Sequence, residues 1–287
     1  MNKRQLKLAL KRTLVRAWSQ LPRPSAGSRC LMYHSVVASE ERDPGEMNVP
    51  VTLFEHQLEF LRDAGYVLED AADAAARIRS GNEPDPKSVT LTFDDGYEDN
   101  HRLALPVLER FGYRATVFLV ADAFLPPRIR PVAGATYLDL SQAREMLASG
   151  LISFGCHGAT HRNLRELSEA EVDRETRGAR IRLEDALGVP ITLFAYPFGS
   201  FDAWDERTRR AVRRAGFVAA YTSIVGPNTA RRDVTQLRRS RMSWAEDVAS
   251  LSRLLHGGYD WYAAVQWLSA VTPRGPASAG LTRAGRR

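Results

Sequence analysis

The sequence predicts an α/β fold, a parallel sheet with helices packed outside it. Three observations lead there. From Arg29 onward, short apolar runs of strand type alternate with longer segments whose apolar residues recur at helical spacing. Several helical segments stop at a glycine, as at Gly65, Gly112 and Gly150. The chain has 287 residues, 44% hydrophobic and 26% charged, which is enough apolar material for the core of one large α/β unit.

The elements follow in order. Residues 29–34 (RCLMYH) read as a strand and 53–65 as a helix closed by Gly65. Residues 88–93 (SVTLTF) form a strand that runs into an Asp-Asp-Gly turn, followed by a helix over 103–112 and a strand over 115–120. A helix over 141–150 leads to a strand over 151–157. Residues 168–188 read as one helix, with Ser168 and Glu171 spaced as a capping box. Residues 191–199 read as a strand entering a turn, 203–217 as a helix, 218–223 as a strand and 245–270 as a final helical stretch. Such βα repeats specify parallel strands with outer helices.

The two ends differ from this body. Residues 1–29 hold eight Lys/Arg and no acid, and residues 273–287 hold four Arg and no acid. These twelve cations exceed the net charge of +6, so residues 30–272 carry a net −6. The basic character lies in the tails, and the body is not expected to bind nucleic acid. Residues 4–21 place Leu6, Leu10, Leu14, Trp18 and Leu21 at helical spacing among basic residues. That pattern suits either a helix packed on protein or one lying on anionic lipid. The expected organisation is a basic amphipathic helix and linker over 1–28, a folded domain over 29–272 and a basic tail over 273–287. Cys30 and Cys156 are too few for a disulfide framework, and no apolar h-region follows the basic start. A cytoplasmic location, peripheral at the inner face of a membrane, is the expectation.

In α/β barrels chemistry gathers at the C-terminal ends of the strands. Asp94-Asp95, His157 and Tyr196-Pro197 all fall at such ends. Two adjacent carboxylates repel each other, and a cation relieves that repulsion, leaving one Asp free as a general base. Gly96 permits the turn that brings both to the site. His157 and His161, four apart in HGATH, can meet one ion if the segment forms a helical turn. Alone, Asp-Asp-Gly is a common exposed turn and HxxxH a weak signal; sharing one predicted edge strengthens both.

TFDDG (92–96), HGATH (157–161) and FAYPFG (194–199), in this order and with their flanking text, resemble polysaccharide deacetylases of the NodB-homology type, closest to the poly-N-acetylglucosamine deacetylase-like subgroup. The resemblance spans roughly residues 29–260. It implies a distorted (β/α)7 barrel with a permuted N-terminal strand and a metal-dependent removal of N-acetyl groups from an N-acetylated glycan or lipid-linked sugar. By motif, Asp94 would be the general base, and Asp95, His157 and His161 would hold a divalent ion, Zn²⁺ or another first-row metal (Co²⁺, Ni²⁺, Mn²⁺ or Fe²⁺). The ion would activate the attacking water. The Phe198 N–H would help stabilise the oxyanion.

Two features depart from the pattern. Ala195-Tyr196-Pro197-Phe198-Gly199 lacks the Arg that many members carry in this turn. A substitute is sought in LRRSRM (237–242), with Arg239 preferred to Arg241. The general-acid His is sought at His34, at the end of the first strand, rather than at His256. Tyr33, Tyr97, Trp244 and Trp261 are candidates for either a sugar site or core. Competing readings keep the site but change the substrate to a formamide, an O-acetyl ester or a cyclic imide, or retain the fold as a non-catalytic glycan binder.

Overall fold

The computed structural model describes residues 27–39, 45–126 and 136–272; the segments 4–21 and 273–287 lie outside these. The strands are β1 (Arg29–Tyr33), β2 (Ser35–Val37), β3 (Asn48–Pro50), β4 (Val67–Leu68), β5 (Ser88–Phe93), β6 (Ala115–Leu119), β7 (Ile152–Cys156), β8 (Leu193–Ala195), β9 (Ala219–Tyr221) and β10 (Ser240–Arg241). The helices are α1 (Val51–Asp63), α2 (Ala71–Arg79), α3 (Leu105–Phe111), α4 (Ala121–Phe124), α5 (Leu140–Ala148), α6 (Glu169–Asp173), α7 (Ala179–Leu187), α8 (Glu206–Arg214), α9 (Val248–Leu255) and α10 (Tyr262–Val271). No described helix is long and apolar enough to cross a membrane.

The main sheet runs in the order β10-β1-β5-β6-β7-β8-β9, with β4 also on β5, and its pairings are parallel. The N-terminal strand therefore sits inside the sheet, between the last strand and β5. Residues 237–241 draw the curled sheet together. On one side Leu237 bridges Tyr221, its N–H donating to Ala220 O at 2.9 Å, and Arg239 N–H donates to Ile224 O at 3.1 Å. On the other, Ser240 and Arg241 pair with Leu31 and Met32. This is the parallel α/β architecture expected from the repeats, in the barrel-like form that the resemblance implies.

The central strands β1, β5 and β6 are buried because both faces are covered, as parallel strands require. β5 is buried at all six positions. Tyr33, Phe54 and Phe93 pack ring to ring at 5.1–5.9 Å and fix α1 against β1 and β5.

Several boundaries differ from the sequence reading. The helix over 168–188 starts in the expected Ser168/Glu171 capping box but is interrupted by a π turn at Arg174–Gly178. A second π turn, Asn100–Ala104, precedes α3. The strand over 191–199 is only Leu193–Ala195, since prolines at 190 and 197 flank it and lack the N–H a ladder needs. The helix over 203–217 begins at Glu206, where Asp205 and Thr208 form a capping box. The stretch 245–270 is two helices, α9 and α10, separated at Gly257-Gly258.

Candidate active site

β5 delivers Asp94 and Asp95 to the C-terminal edge of the sheet. Asp95 adopts φ +73°, an unusual left-handed conformation for a residue with a side chain, and Gly96 follows at the same angle. A side chain at 96 would put its Cβ 2.6 Å from Leu119 Cδ2 and would have to displace that buried side chain, besides straining the positive φ that glycine accepts. The two carboxyl groups thereby face different partners.

Asp94 is 2% exposed and faces Arg239, 1% exposed. The guanidinium holds both carboxyl oxygens, Nη1 to Oδ1 at 2.6 Å and Nη2 to Oδ2 at 2.8 Å, while Nε donates to Thr222 O at 3.0 Å. Arg239 also lies over the Phe118 ring at 5.3 Å. Burial alone would push the Asp94 carboxyl up. The Arg239 guanidinium, with His157 and His34, outweighs burial and lowers the pKa to about 2. Arg241, the second candidate, is largely exposed and pairs with Glu46.

Asp95 turns toward the histidines. Its Oδ1 lies 3.4 Å from His161 Nε2 and 3.7 Å from His157 Nε2, and one ligand atom from each of the three lies within 4.8 Å of the others. Ligand atoms about 2.0–2.2 Å from a tetrahedral ion stand roughly 3.3–3.6 Å apart, so the donor set fits a first-row divalent metal. His157 Nδ1 sits 2.8 Å from Ala195 O, so it carries the proton and leaves Nε2 with a free lone pair. Burial lowers the His157 pKa to about 4. The Tyr97 hydroxyl hydrogen bonds to Asp95.

The HGATH segment is not a helical turn, contrary to the expectation from its spacing. His157 follows the end of β7, and His161 stands in a loop at φ +57°. The loop backbone is held by other groups, so ligand spacing here comes from loop anchoring and not from helical periodicity.

His34 follows β1, is 7% exposed and lines the same cavity, with Nδ1 buried and, among the described residues, lacking a hydrogen-bond partner. Burial lowers its pKa, and Asp95 and Asp94 partly offset that. His256 is exposed, with Nδ1 on Ser252 O of its own helix. Phe198 is at the mouth, 59% exposed, at φ +63°, with its ring 4.8 Å from that of His161. Its carbonyl accepts from Ser223 Oγ, and no described residue accepts its N–H.

All seven candidate residues line one cavity of about 490 Å³. Its far wall holds Leu254, Tyr259, Tyr262 and Gln266, which the sequence reading missed because nothing in 245–270 reads as more than an amphipathic helix. Of the aromatic candidates, Tyr33 is core, with its hydroxyl on Gln57, and Tyr97 is buried against Tyr137. Trp244 and Trp261 are not among the cavity-lining residues.

A buried, arginine-held aspartate stands beside an Asp-His-His donor set that could hold a metal ion, at the strand ends of a parallel α/β barrel. Comparison with known proteins points to a hydrolase family. Residues 81–220 match the family model "Polysaccharide deacetylase", so this part of the chain is similar to that family. The chain is 28% identical over 227 residues to YxkH of Bacillus subtilis, which bears the name of a polysaccharide deacetylase; the match covers 79% of this chain and 75% of that protein. It is 28% identical over 146 residues to the poly-beta-1,6-N-acetyl-D-glucosamine N-deacetylase of Escherichia coli K12, covering 48% of this chain and 22% of the larger protein. The fold is shared with a Streptococcus pyogenes deacetylase solved with acetate, at a TM-score of 0.69 and 24% identity, covering 81% of this chain and 99% of that one.

Proposed function

We propose that this site removes acetyl groups from the nitrogen of an N-acetylated sugar, in a glycan or a lipid-linked precursor. The observation that carries the reading is the pairing of a buried Asp94–Arg239 unit with the Asp95/His157/His161 cluster in a single cavity. The name of the E. coli relative supports the sugar, and the Tyr259 and Tyr262 rings in the wall suit its C–H faces.

Asp95, His157 and His161 would hold the divalent ion, Zn²⁺ being our assignment. Such an ion supplies polarisation of the acyl carbonyl and a lowered pKa for the attacking water. Asp94 would accept a proton from the attacking water. Its depressed pKa keeps it ionised and ready at any working pH, and the Arg239 fork fixes which way its lone pairs point. The water oxygen bonds to the acetyl carbon, the Phe198 N–H receives the developing oxyanion, and the C–N bond breaks. His34 gives a proton to the leaving amine. Burial lowers its pKa and Asp95 and Asp94 partly offset that, so the ring takes up a proton from solvent before the step and returns to the neutral form on donating it.

The test is acetate release from short N-acetylglucosamine oligomers by the purified chain, with formamide, O-acetyl and cyclic imide substrates run beside them. Acetate release abolished in Asp94→Asn and His157→Ala supports the reading. Faster turnover of a formamide, ester or imide transfers the same site to that substrate.

A further inference from the structure

The segment between the two histidines is fastened from both sides. The carbonyls of Gly158 and Ala159 accept from the N–H groups of Ala121 and Asp122 at 3.0 and 2.8 Å, at the start of α4. From the opposite side comes one carboxylate. Glu175 Oε2 accepts from Ala159 N–H at 2.8 Å and Thr160 N–H at 2.9 Å, and Oε1 accepts from the Thr160 hydroxyl. Glu175 is 4% exposed, so these bonds form largely away from competing water.

Glu175 reaches the loop because of the π turn at Arg174–Gly178. The turn takes an extra residue and rotates the next positions about the helix axis; Glu175 and Thr176 are buried while Arg174 and Arg177 are exposed. The loop is moulded closely onto this carboxylate. Gly158 sits at φ +84°, and a Cβ there would lie 2.9 Å from Glu175 Oε2. His161, the next ligand along, is held at φ +57°. The spacing of the histidines, which no helix sets, is thus fixed by α4 on one side and Glu175 on the other.

We propose that Glu175 is a positioning residue for the metal site: its three hydrogen bonds to Ala159 and Thr160 set where the His161 imidazole stands relative to His157 and Asp95, and so set the affinity and coordination of the ion. This rests on the ligand assignment under the proposed function. Groups that orient metal ligands typically change affinity by about 10- to 100-fold when removed.

The experiment titrates the metal-free full chain with Co²⁺, reading both affinity and the visible absorption spectrum, for wild type, His161→Ala, Glu175→Ala and Glu175→Gln. Glu175→Ala should bind Co²⁺ about 10- to 100-fold more weakly with an altered spectrum. Glu175→Gln keeps an acceptor oxygen for the two N–H groups and should recover most of the loss. A folded Glu175→Ala with wild-type affinity and spectrum overturns the proposal. If Glu175→Ala does not fold, Thr160→Val decides: weakening of threefold or more sustains the proposal, and unchanged binding overturns it. Failure of the underlying assignment looks different, since wild type would then bind no Co²⁺ or His161→Ala would bind it as wild type does.

Discussion

At the scale of single residues, the deciding pair is Asp94 and Arg239. Both are buried, so each is tolerable only because of the other. Removing the cation in Arg239→Met should cost about 3–5 kcal/mol of stability, read by denaturant unfolding. It should also move the acid limb of the pH–rate profile upward, because Asp94 would keep its burial and lose the charge that lowers its pKa. An unmoved limb would show that Arg239 does not govern Asp94. The sign for stability follows from the same shift. The folded pKa of about 2 lies below the ordinary 3.8, so Asp94 stabilises the fold fully above pH 3.8 and loses this as pH falls through 2. The loss amounts to about 2 kcal/mol, measurable as a steepening of acid unfolding in wild type that Asp94→Asn lacks. Asp94, Asp95 and the two histidines were legible in the sequence because each pair is contiguous or nearly so and follows an apolar strand. Arg239 could only be ranked against Arg241, since the fork geometry that separates them is tertiary.

At the scale of elements, two π turns do parallel work. The turn at Arg174–Gly178 presents Glu175 to the histidine loop. The turn at Asn100–Ala104 presents buried Asn100, whose Nδ2 donates to His34 O at 2.8 Å, while adjacent Asp99 accepts from Val36 N–H and from the Ser35 hydroxyl. Burial pushes the Asp99 carboxyl up to about 6. The two devices act on different groups and should separate experimentally. Asn100→Leu should lower turnover while the bound metal stays at the wild-type level; loss of metal in that variant would contradict the separation. Neither turn was legible beforehand. A π turn leaves no mark in hydrophobic periodicity beyond a phase slip of one residue, and over 168–188 a single capped helix accounts for the same pattern. The Ser168 cap was readable because it is local chemistry.

At the scale of the molecule, the alternation of strands and helices carried the architecture, and the sheet order β10-β1-β5 confirms that the first strand is an interior member. What the sequence could not show was how the ends of the sheet meet, because Leu237–Arg241 is too short and too basic to read as a strand. The proposed metal ligands come from the ends of β5 and β7, so an ion would tie two parts of the sheet together. Chelation of the loaded protein should therefore lower its melting temperature: an ion at 1,000 times its Kd stabilises by about 4 kcal/mol. For a chain of this size that corresponds to roughly 8–16 °C by calorimetry. Restoring Zn²⁺ should reverse the shift, and a melting temperature indifferent to chelator would argue against a resident ion.

The placement of Arg239 on the segment that draws the barrel together has a consequence for biosynthesis. A ribosome adds Asp94, Asp95, His157 and His161 first, and all four fall within the 81–220 match. Arg239 follows 78 positions after His161, several seconds later at about 5–20 residues per second. Until it arrives, Asp94 lacks the cation that keeps it ionised in a buried setting, and the barrel lacks its seam. On the proposed roles, a nascent chain carrying Asp95, His157 and His161 would still lack the cation that orients Asp94, and hydrolytic competence would begin only when the last strand is in place.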